Sequence, residues 1–339
     1  HSDAKNRQVI RTLHRKNPEA IIAVVGCYAQ IDPETIASIE GVRLVIGSEE
    51  KMRITDYLAQ AFTQNTPLII HPKISKDTFT VPVIPHSLAF LAKNQDKQIK
   101  TVERDSVSTN SELQYPDASV TREKTRASLK IQDGCDFMCS FCIIPFARGR
   151  SRHRDFSNLQ EEARMLVQEG AQEIVITGVN VGTYKTKELT IVDVVDFLNT
   201  LPGLARIRIS SIEPTTVPET LFQYMSDPQH KLVPFLHLPL QSGSDAVLQK
   251  MKRCHSAAEY ADEIQMAFET VPDLCIGTDL MVGFPEESEA EFENTLKLLE
   301  KLPLAYFHVF PFSARKGTPA FKKKEQVPPP IKLLRSKKL

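Results

Sequence analysis

No stretch of this chain comes near the roughly 18 consecutive apolar residues that cross a bilayer, and its N-terminus lacks the basic-then-apolar pattern of a secretion signal. No membrane partner is expected, and the cytoplasm is the default compartment. Net charge is equally absent: 42 basic residues offset 42 acidic ones, so local patches must decide for or against a nucleic-acid partner. Cysteine is scarce, 6 in 339 residues, too few for a disulfide scaffold. A tight cysteine cluster in an intracellular protein more often binds metal or reacts, so reduced thiols are expected. What is present, 41% hydrophobic and 25% charged residues, suits a globular chain with two ordinary cores.

Residue 1 is His, and the first residues already read as a helix, so material upstream is expected to be missing. Val9, Ile10 and Leu13 recur at helical spacing until Asn17-Pro18 ends the run. Residues 20–25 form a continuous apolar, β-branched run, as in a parallel strand buried on both faces, and end at Gly26-Cys27. Asp32-Pro33 reads as a helix start, 42–46 as a second strand and 52–62 as a further helix. This alternation predicts a small open parallel sheet, with Cys27 at a strand's carboxyl end, where such sheets bind ligands. Pro67, Pro72, Pro82, Pro85 and Pro116 then interrupt short β-prone pieces, so 63–124 reads as a linker.

A different rhythm follows. Strand-like runs at 127–131, 173–177, 205–210, 235–238, 274–278 and 306–309 alternate with helical patterns such as 158–169 and 288–301. They predict an incomplete parallel (β/α) barrel over 125–315, with its chemistry at the strand C-terminal ends. Residues 316–339, with Lys322 to Lys324 and Pro328 to Pro330, read as a tail.

Cys135, Cys139 and Cys142 crowd into the run GCDFMCSFC. Their spacing also fits a buried helical stripe, but Gly134 and Pro145 flank the segment and argue for a loop after the first barrel strand. Structural zinc needs a fourth ligand, for which His153 and Cys254 are the available completions. The remaining reading is a [4Fe–4S] cluster held by three thiolates, with one iron left open to a substrate or cofactor.

The C-x3-C-x2-C triplet and Phe141, placed after a first barrel strand, resemble the radical S-adenosylmethionine superfamily. The text KTRASLKIQDGCDFMCSFCIIPFARGRSRHR, with ITGVNVGTY, RIRISSIEP, HLPLQSGSD, GTDLMVGFP and HVFPFS, is similar to its methylthiotransferases, and most to the branch acting on threonylcarbamoyladenosine in tRNA. The resemblance implies a radical SAM (β/α)6 partial TIM barrel preceded by a small, truncated α/β domain with a parallel sheet, residues 1–62. It also implies a missing RNA-binding β-domain beyond the tail. The cofactors implied are two [4Fe–4S] clusters in the full-length protein and S-adenosylmethionine, used both as methyl donor and as source of a 5'-deoxyadenosyl radical.

By the same resemblance, Cys135, Cys139 and Cys142 would hold the cluster that binds S-adenosylmethionine. Phe141, the turn Gly178, Val179 and Asn180, the strand-end Ser211 and Glu213, the segment Gln241, Ser242 and Gly243, and Val282 would contact that cofactor. Read without the family, a glycine after a strand is a turn, a strand-end Glu a solvated charge, and Ser242 or Ser244 a helix cap. Cys27 matches one ligand of the auxiliary sulfur-supplying cluster, whose other ligands would lie upstream; alone it reads as a small buried hydrophobe. Cys254 and Cys275 match no ligand position. The segment Arg148, Arg150, Arg152, His153 and Arg154 is either a solvated face or a contact for tRNA phosphates.

The expected function is conversion of N6-threonylcarbamoyladenosine beside the anticodon of tRNA to its 2-methylthio derivative, with electrons from a flavodoxin-type protein and an unassigned sulfur donor. The alternatives are isopentenyladenosine in tRNA or a ribosomal-protein aspartate as substrate, and a zinc-stabilised RNA-binding protein without catalysis.

Overall fold

The computed structural model describes residues 2–64, 66–83 and 125–339, so the expected linker lies outside the described residues from 84 to 124. The helix Ser2–Lys16 precedes a parallel sheet of strands β1 (Ile22–Val25), β2 (Val42–Ile46) and β3 (Leu68–Ile70), paired in that order. β2 is central, which accounts for its unbroken apolar run. Val42 and Val45 pack with Ile10, Ala29 and Ile36 on one face, and Leu44 and Ile46 pack with Ala61 on the other. The sheet therefore extends past residue 62. Residues 68–70, read as linker, pair with β2 as its third strand, because an Ile/Leu triplet bounded by prolines still completes a ladder at a sheet edge.

Six more parallel strands follow: β4 (Arg126–Lys130), β5 (Glu173–Thr177), β6 (Arg206–Ile209), β7 (Phe235–His237), β8 (Cys275–Val282) and β9 (Tyr306–Pro311). β4 pairs with β5 and β5 with β6, while β8 lies between β7 and β9. Between β6 and β7 the ladder becomes irregular, carried by Ile207 N to Lys231 O (2.8 Å) and Ile212 N to His237 O (3.2 Å). The strands make the expected open barrel.

Alternation along each strand decides its two faces. Leu129, Ile174, Ile176, Ile207, Ile209, Leu236, Ile276 and Leu280 are buried in one cluster with helix residues such as Leu159, Val194, Leu221 and Ile264. Each such side chain contributes roughly 1.5–3 kcal/mol by leaving water. The intervening positions face the barrel lumen, and many are polar or aromatic, among them Lys130, Glu173, Arg208, His237, Asp279, Tyr306 and His308. Three of the outer helices start in capping boxes, Thr190 with Asp193, Ser256 with Glu259 and Ser288 with Glu291.

The C-terminal residues are not a tail. Pro329 opens a helix, Pro329–Lys338, that docks on the barrel, as the fixed φ of proline at a first helical turn favours. Arg335 is buried there and donates to Glu287 Oε2 (2.7 Å), to the Glu287 carbonyl (3.1 Å) and to Glu289 Oε2 (3.0 Å). A lysine-rich, proline-rich text hides this because the buried cation is satisfied by carboxylates distant in sequence. Arg335→Ala strands a buried carboxylate and is expected to lower the unfolding free energy by roughly 3 kcal/mol, read from the urea midpoint. A change below about 0.5 kcal/mol would show that this helix is outside the cooperative unit.

Candidate active site

The triplet lies on an irregular loop, not on a helix, directly after β4. Backbone bonds fix the loop at several points: Cys135 N to Gly149 O (3.1 Å), Ser140 N to Met251 O (2.9 Å), and Ala320 N to Ser140 O (2.9 Å). Cys142 N donates to Cys139 O (3.0 Å), closing a turn between the last two cysteines.

A buried carboxamide, unremarked in the sequence, organises the start of this loop. Gln132 Nε2 donates to Gly134 O (2.8 Å) and Ser151 Oγ (2.9 Å), while its Oε1 accepts from Val179 N (2.8 Å) and Asn180 N (2.9 Å). The expected turn Gly178, Val179 and Asn180 is thereby tied to the cysteine loop. Asn180 is itself buried; its Oδ1 accepts from Thr216 Oγ1 (3.1 Å) and Glu213 N (3.4 Å), and its Nδ2 has no partner. An orphaned buried amide donor beside a strand mouth fits a bound ligand that offers an acceptor.

Glu213 faces the triplet, and Arg253, a residue sequence reading passed over, neutralises it. The guanidinium engages both Glu213 oxygens and donates to Pro239 O (2.9 Å) and, from Nη1, toward Cys139 Sγ (3.7 Å). Burial pushes all three thiols up, Cys135 to about 11, and the Glu213 charge pushes in the same direction. Without metal these thiols stay protonated at neutral pH; bound iron is what would ionise them.

The donor set fits an iron–sulfur cluster better than zinc. Among the described residues the only His, Cys, Asp or Glu set whose ligand atoms converge within 4.8 Å is His237, Asp279 and His308, so the triplet's Sγ atoms spread wider. Four thiolates on one zinc at about 2.3 Å would stand under 4 Å apart, whereas thiolates on different irons of one cluster need not. Neither completion proposed for zinc is gathered into that set: Cys254 is exposed, and the His153 ring packs edge-on against Tyr184 at 5.8 Å.

Cys27 opens the short helix Cys27–Ile31 at the carboxyl end of β1, and the structure brings it to the triplet. Arg148 Nε donates to its Sγ (3.3 Å), and Nη1 of the same side chain pairs with Asp133 (3.3 Å) beside the cysteine loop. Cys27, Tyr28, Phe141, Cys142 and Arg315 line a single cavity of 660 Å³.

The basic segment divides: protein acceptors hold Arg148, Arg152 and Arg154, whereas Arg150 stays exposed. Arg154 is fully buried on Asn158, the Lys130 carbonyl and Glu162, Arg152 pairs with Glu49 (2.7 Å), and Arg148 is held as above; Arg150 is exposed, 3.6 Å from Asp136. Ser242 and Gly243 are packing residues. Both are set against Thr295, with Gly243 N donating to its Oγ1 (3.0 Å), and a Cβ at Gly243 would sit 2.7 Å from the Thr295 Cα. Ser244 takes the helix N-cap, and Gln241 carries the bend with φ 73°, a left-handed conformation costly outside glycine. Val282 ends β8 and is buried, Ser211 lies half-buried past β6, and Cys275 begins β8 half-buried.

Similarity to known proteins agrees with this geometry. The signature of the Radical SAM superfamily matches residues 129–299. A threonylcarbamoyladenosine tRNA methylthiotransferase MtaB of Bacillus subtilis (strain 168) is 35% identical over 333 residues, 97% of this chain and 66% of that protein. The protein of the same name from Aquifex aeolicus (strain VF5) is 31% identical, over 97% of this chain and 72% of its own. A tRNA-2-methylthio-N(6)-dimethylallyladenosine synthase of Ehrlichia canis (strain Jake) is 33% identical, over 96% of this chain and 68% of its own. The chain thus spans about two thirds of these relatives.

The chain belongs to the radical S-adenosylmethionine superfamily and, within it, to the methylthiotransferases. A [4Fe–4S] cluster and S-adenosylmethionine are the cofactors of that class.

Arg253→Ala leaves Glu213 facing the thiols with no countercharge. Iron retained after anaerobic reconstitution is expected to fall at least threefold, a loss of roughly 0.7 kcal/mol or more, with the far-UV spectrum unchanged. Full iron loading in this variant would show that the guanidinium does not support the site.

Proposed function

We propose that this chain carries the catalytic part of a tRNA methylthiotransferase that converts N6-threonylcarbamoyladenosine beside the anticodon to its 2-methylthio derivative. The observation that carries the reading is the shared cavity: Cys27 and Cys142 line one recess, so a sulfur-supplying cluster at the first would face the S-adenosylmethionine-binding cluster at the second. When bound, these groups supply a carbon radical able to take a hydrogen that no ordinary base removes, and a sulfur to replace it.

The residues have separable tasks. Cys135, Cys139 and Cys142 are the ligands of the first cluster, and Arg253 lowers the electrostatic cost of gathering thiolates beside Glu213. Gln132 fixes the turn Gly178, Val179 and Asn180 against the loop, leaving the Asn180 Nδ2 donor for a cofactor acceptor. Phe141 packs beside Val247, Met251 and Phe284, so its ring braces the last cysteine from the apolar side. Cys27 belongs to the auxiliary cluster, and Arg148, hydrogen-bonded to its sulfur, fixes its position beside the cysteine loop. Such a reaction takes electrons from a flavodoxin-type protein and sulfur from a separate donor. A tRNA substrate points to the cytoplasm; among the described residues no helix is long and apolar enough to cross a membrane.

A second substrate, isopentenyladenosine in tRNA, is supported by one observation: the dimethylallyladenosine synthase of Ehrlichia canis, 33% identical, falls between the two threonylcarbamoyladenosine enzymes at 35% and 31%. Nucleoside mass spectrometry of tRNA from a deletion strain decides between them. Complementation with the wild-type gene is expected to restore 2-methylthio-N6-threonylcarbamoyladenosine, and neither Cys27→Ala nor Cys139→Ala restores it. Recovery of only the isopentenyl derivative would move the assignment to the second substrate.

A further inference from the structure

The lumen of the barrel holds a second constellation that the cysteine chemistry does not use. On the inward faces of β7, β8 and β9, His237 Nε2 and His308 Nδ1 each lie 3.1 Å from the same oxygen of Asp279, Oδ1. His237 Nδ1 is 3.1 Å from the Tyr306 hydroxyl. The carboxylate selects the His237 tautomer that donates from Nε2, so Nδ1 accepts from Tyr306 and the chain of donors ends on Asp279. Both imidazoles claim Oδ1 and leave Oδ2 to accept from a ligand. Burial would raise the Asp279 carboxyl, but the bonds from His237 and His308 hold it below its ordinary value, so it stays charged.

Around this carboxylate the rings form a continuous wall. Phe235 and Tyr306 stack with centroids 6.3 Å apart at 17°, His237 and Tyr306 at 5.8 Å and 29°, and His308 packs edge-on against Phe310 at 6.3 Å. Tyr306 lies across Gly277, where any Cβ would sit 2.1 Å from its ring, so the wall requires glycine at that point of β8. His308 is 58% exposed, so the wall is open to the lumen. It also connects to the triplet: Pro239, two residues past His237, accepts from Arg253, whose other arm reaches Cys139.

We propose that the wall of His237, Asp279, Tyr306 and His308 is the recognition site for the purine base that this protein modifies. This rests on the tRNA reading above. A flat heterocycle with N–H groups on its edge matches π-faces set beside a charged acceptor with a free oxygen. An adenine extruded from the anticodon loop is such a ligand, and the same loop could not reach the lumen with its base still stacked. The rival occupant is a cation, since the three ligand atoms lie within 4.8 Å of one another.

The test compares two RNA anticodon stem-loops, one with N6-threonylcarbamoyladenosine and one with an abasic site at the same position. Binding to the cluster-reconstituted protein is followed by fluorescence anisotropy. Wild type is expected to prefer the base-bearing loop by about tenfold or more, and Asp279→Asn and His308→Ala to bring the ratio of dissociation constants within about twofold of one. Iron content and melting temperature report that the variants are folded and loaded. A ratio unchanged in both variants, or no preference in wild type, overturns the proposal. So does one equivalent of tightly bound zinc in wild type that Asp279→Asn loses. Failure of the tRNA reading shows separately, as the lack of any 2-methylthio nucleoside in the complemented strain.

Discussion

The constraint on which the site depends is that all its parts hang from the carboxyl ends of parallel strands, and those ends must be held in register by something other than the ladder. Gln132 does this for β4 and β5. One buried side chain donates to the cysteine loop and accepts from the 178–180 turn, so the two cannot shift separately. A glutamine suits this role because its carboxamide offers donors and an acceptor on one rigid plane. Asn180 passes the constraint on to β6 through Glu213 N and Thr216, and Arg253 carries it to the loop after β7. The mouth of the barrel is thus a hydrogen-bonded ring laid across strand ends that the sheet alone leaves loose.

The same logic joins the two sheets. The carboxyl edge of the N-terminal sheet abuts the cysteine loop through Ser48 Oγ on Ala147 O (2.7 Å), Arg152 on Glu49 (2.7 Å) and Arg148 on Cys27 (3.3 Å). These contacts are polar and partly shielded from solvent, where a mismatched partner is costly, so they fix relative position more than they add stability. Fixed position is what the proposed function requires, because there the sulfur source and the radical source address the same substrate atom.

Much of this was legible in the chain, and the parts that were not share a cause. Strand positions followed from apolar periodicity, and β2 and β5 span the expected 42–46 and 173–177. The cysteine triplet was legible because three thiols at such short spacing suit few roles besides holding a metal or a cluster. Gln132, Arg253 and Arg335 were not, since each acts by meeting partners far away in sequence, and a lone Gln or Arg carries no local signal. β3 and the C-terminal helix were misread for a related reason: proline-rich flanks suggested irregular chain where tertiary contacts supplied what local propensity lacked. The Ser242-Gly243 pair shows a different limit. A glycine that permits close approach does not say what approaches, and here it is a helix.

The buried arginines also show why overall neutrality is uninformative about tRNA. Arg152, Arg154, Arg253 and Arg335 are all taken inside, each matched to a carboxylate, because an unpaired guanidinium out of water would cost several kcal/mol. These pairs cancel in the charge count while contributing nothing to the outer field. Within the run Arg148 to Arg154, which in the bare sequence resembles a phosphate contact, Arg148 and Arg152 instead hold the cysteine loop to the N-terminal sheet, and Arg154 is buried in the barrel. In the proposed reading, most of the cations that meet the RNA backbone therefore lie outside this run, and choice of the base falls to the aromatic wall of the lumen.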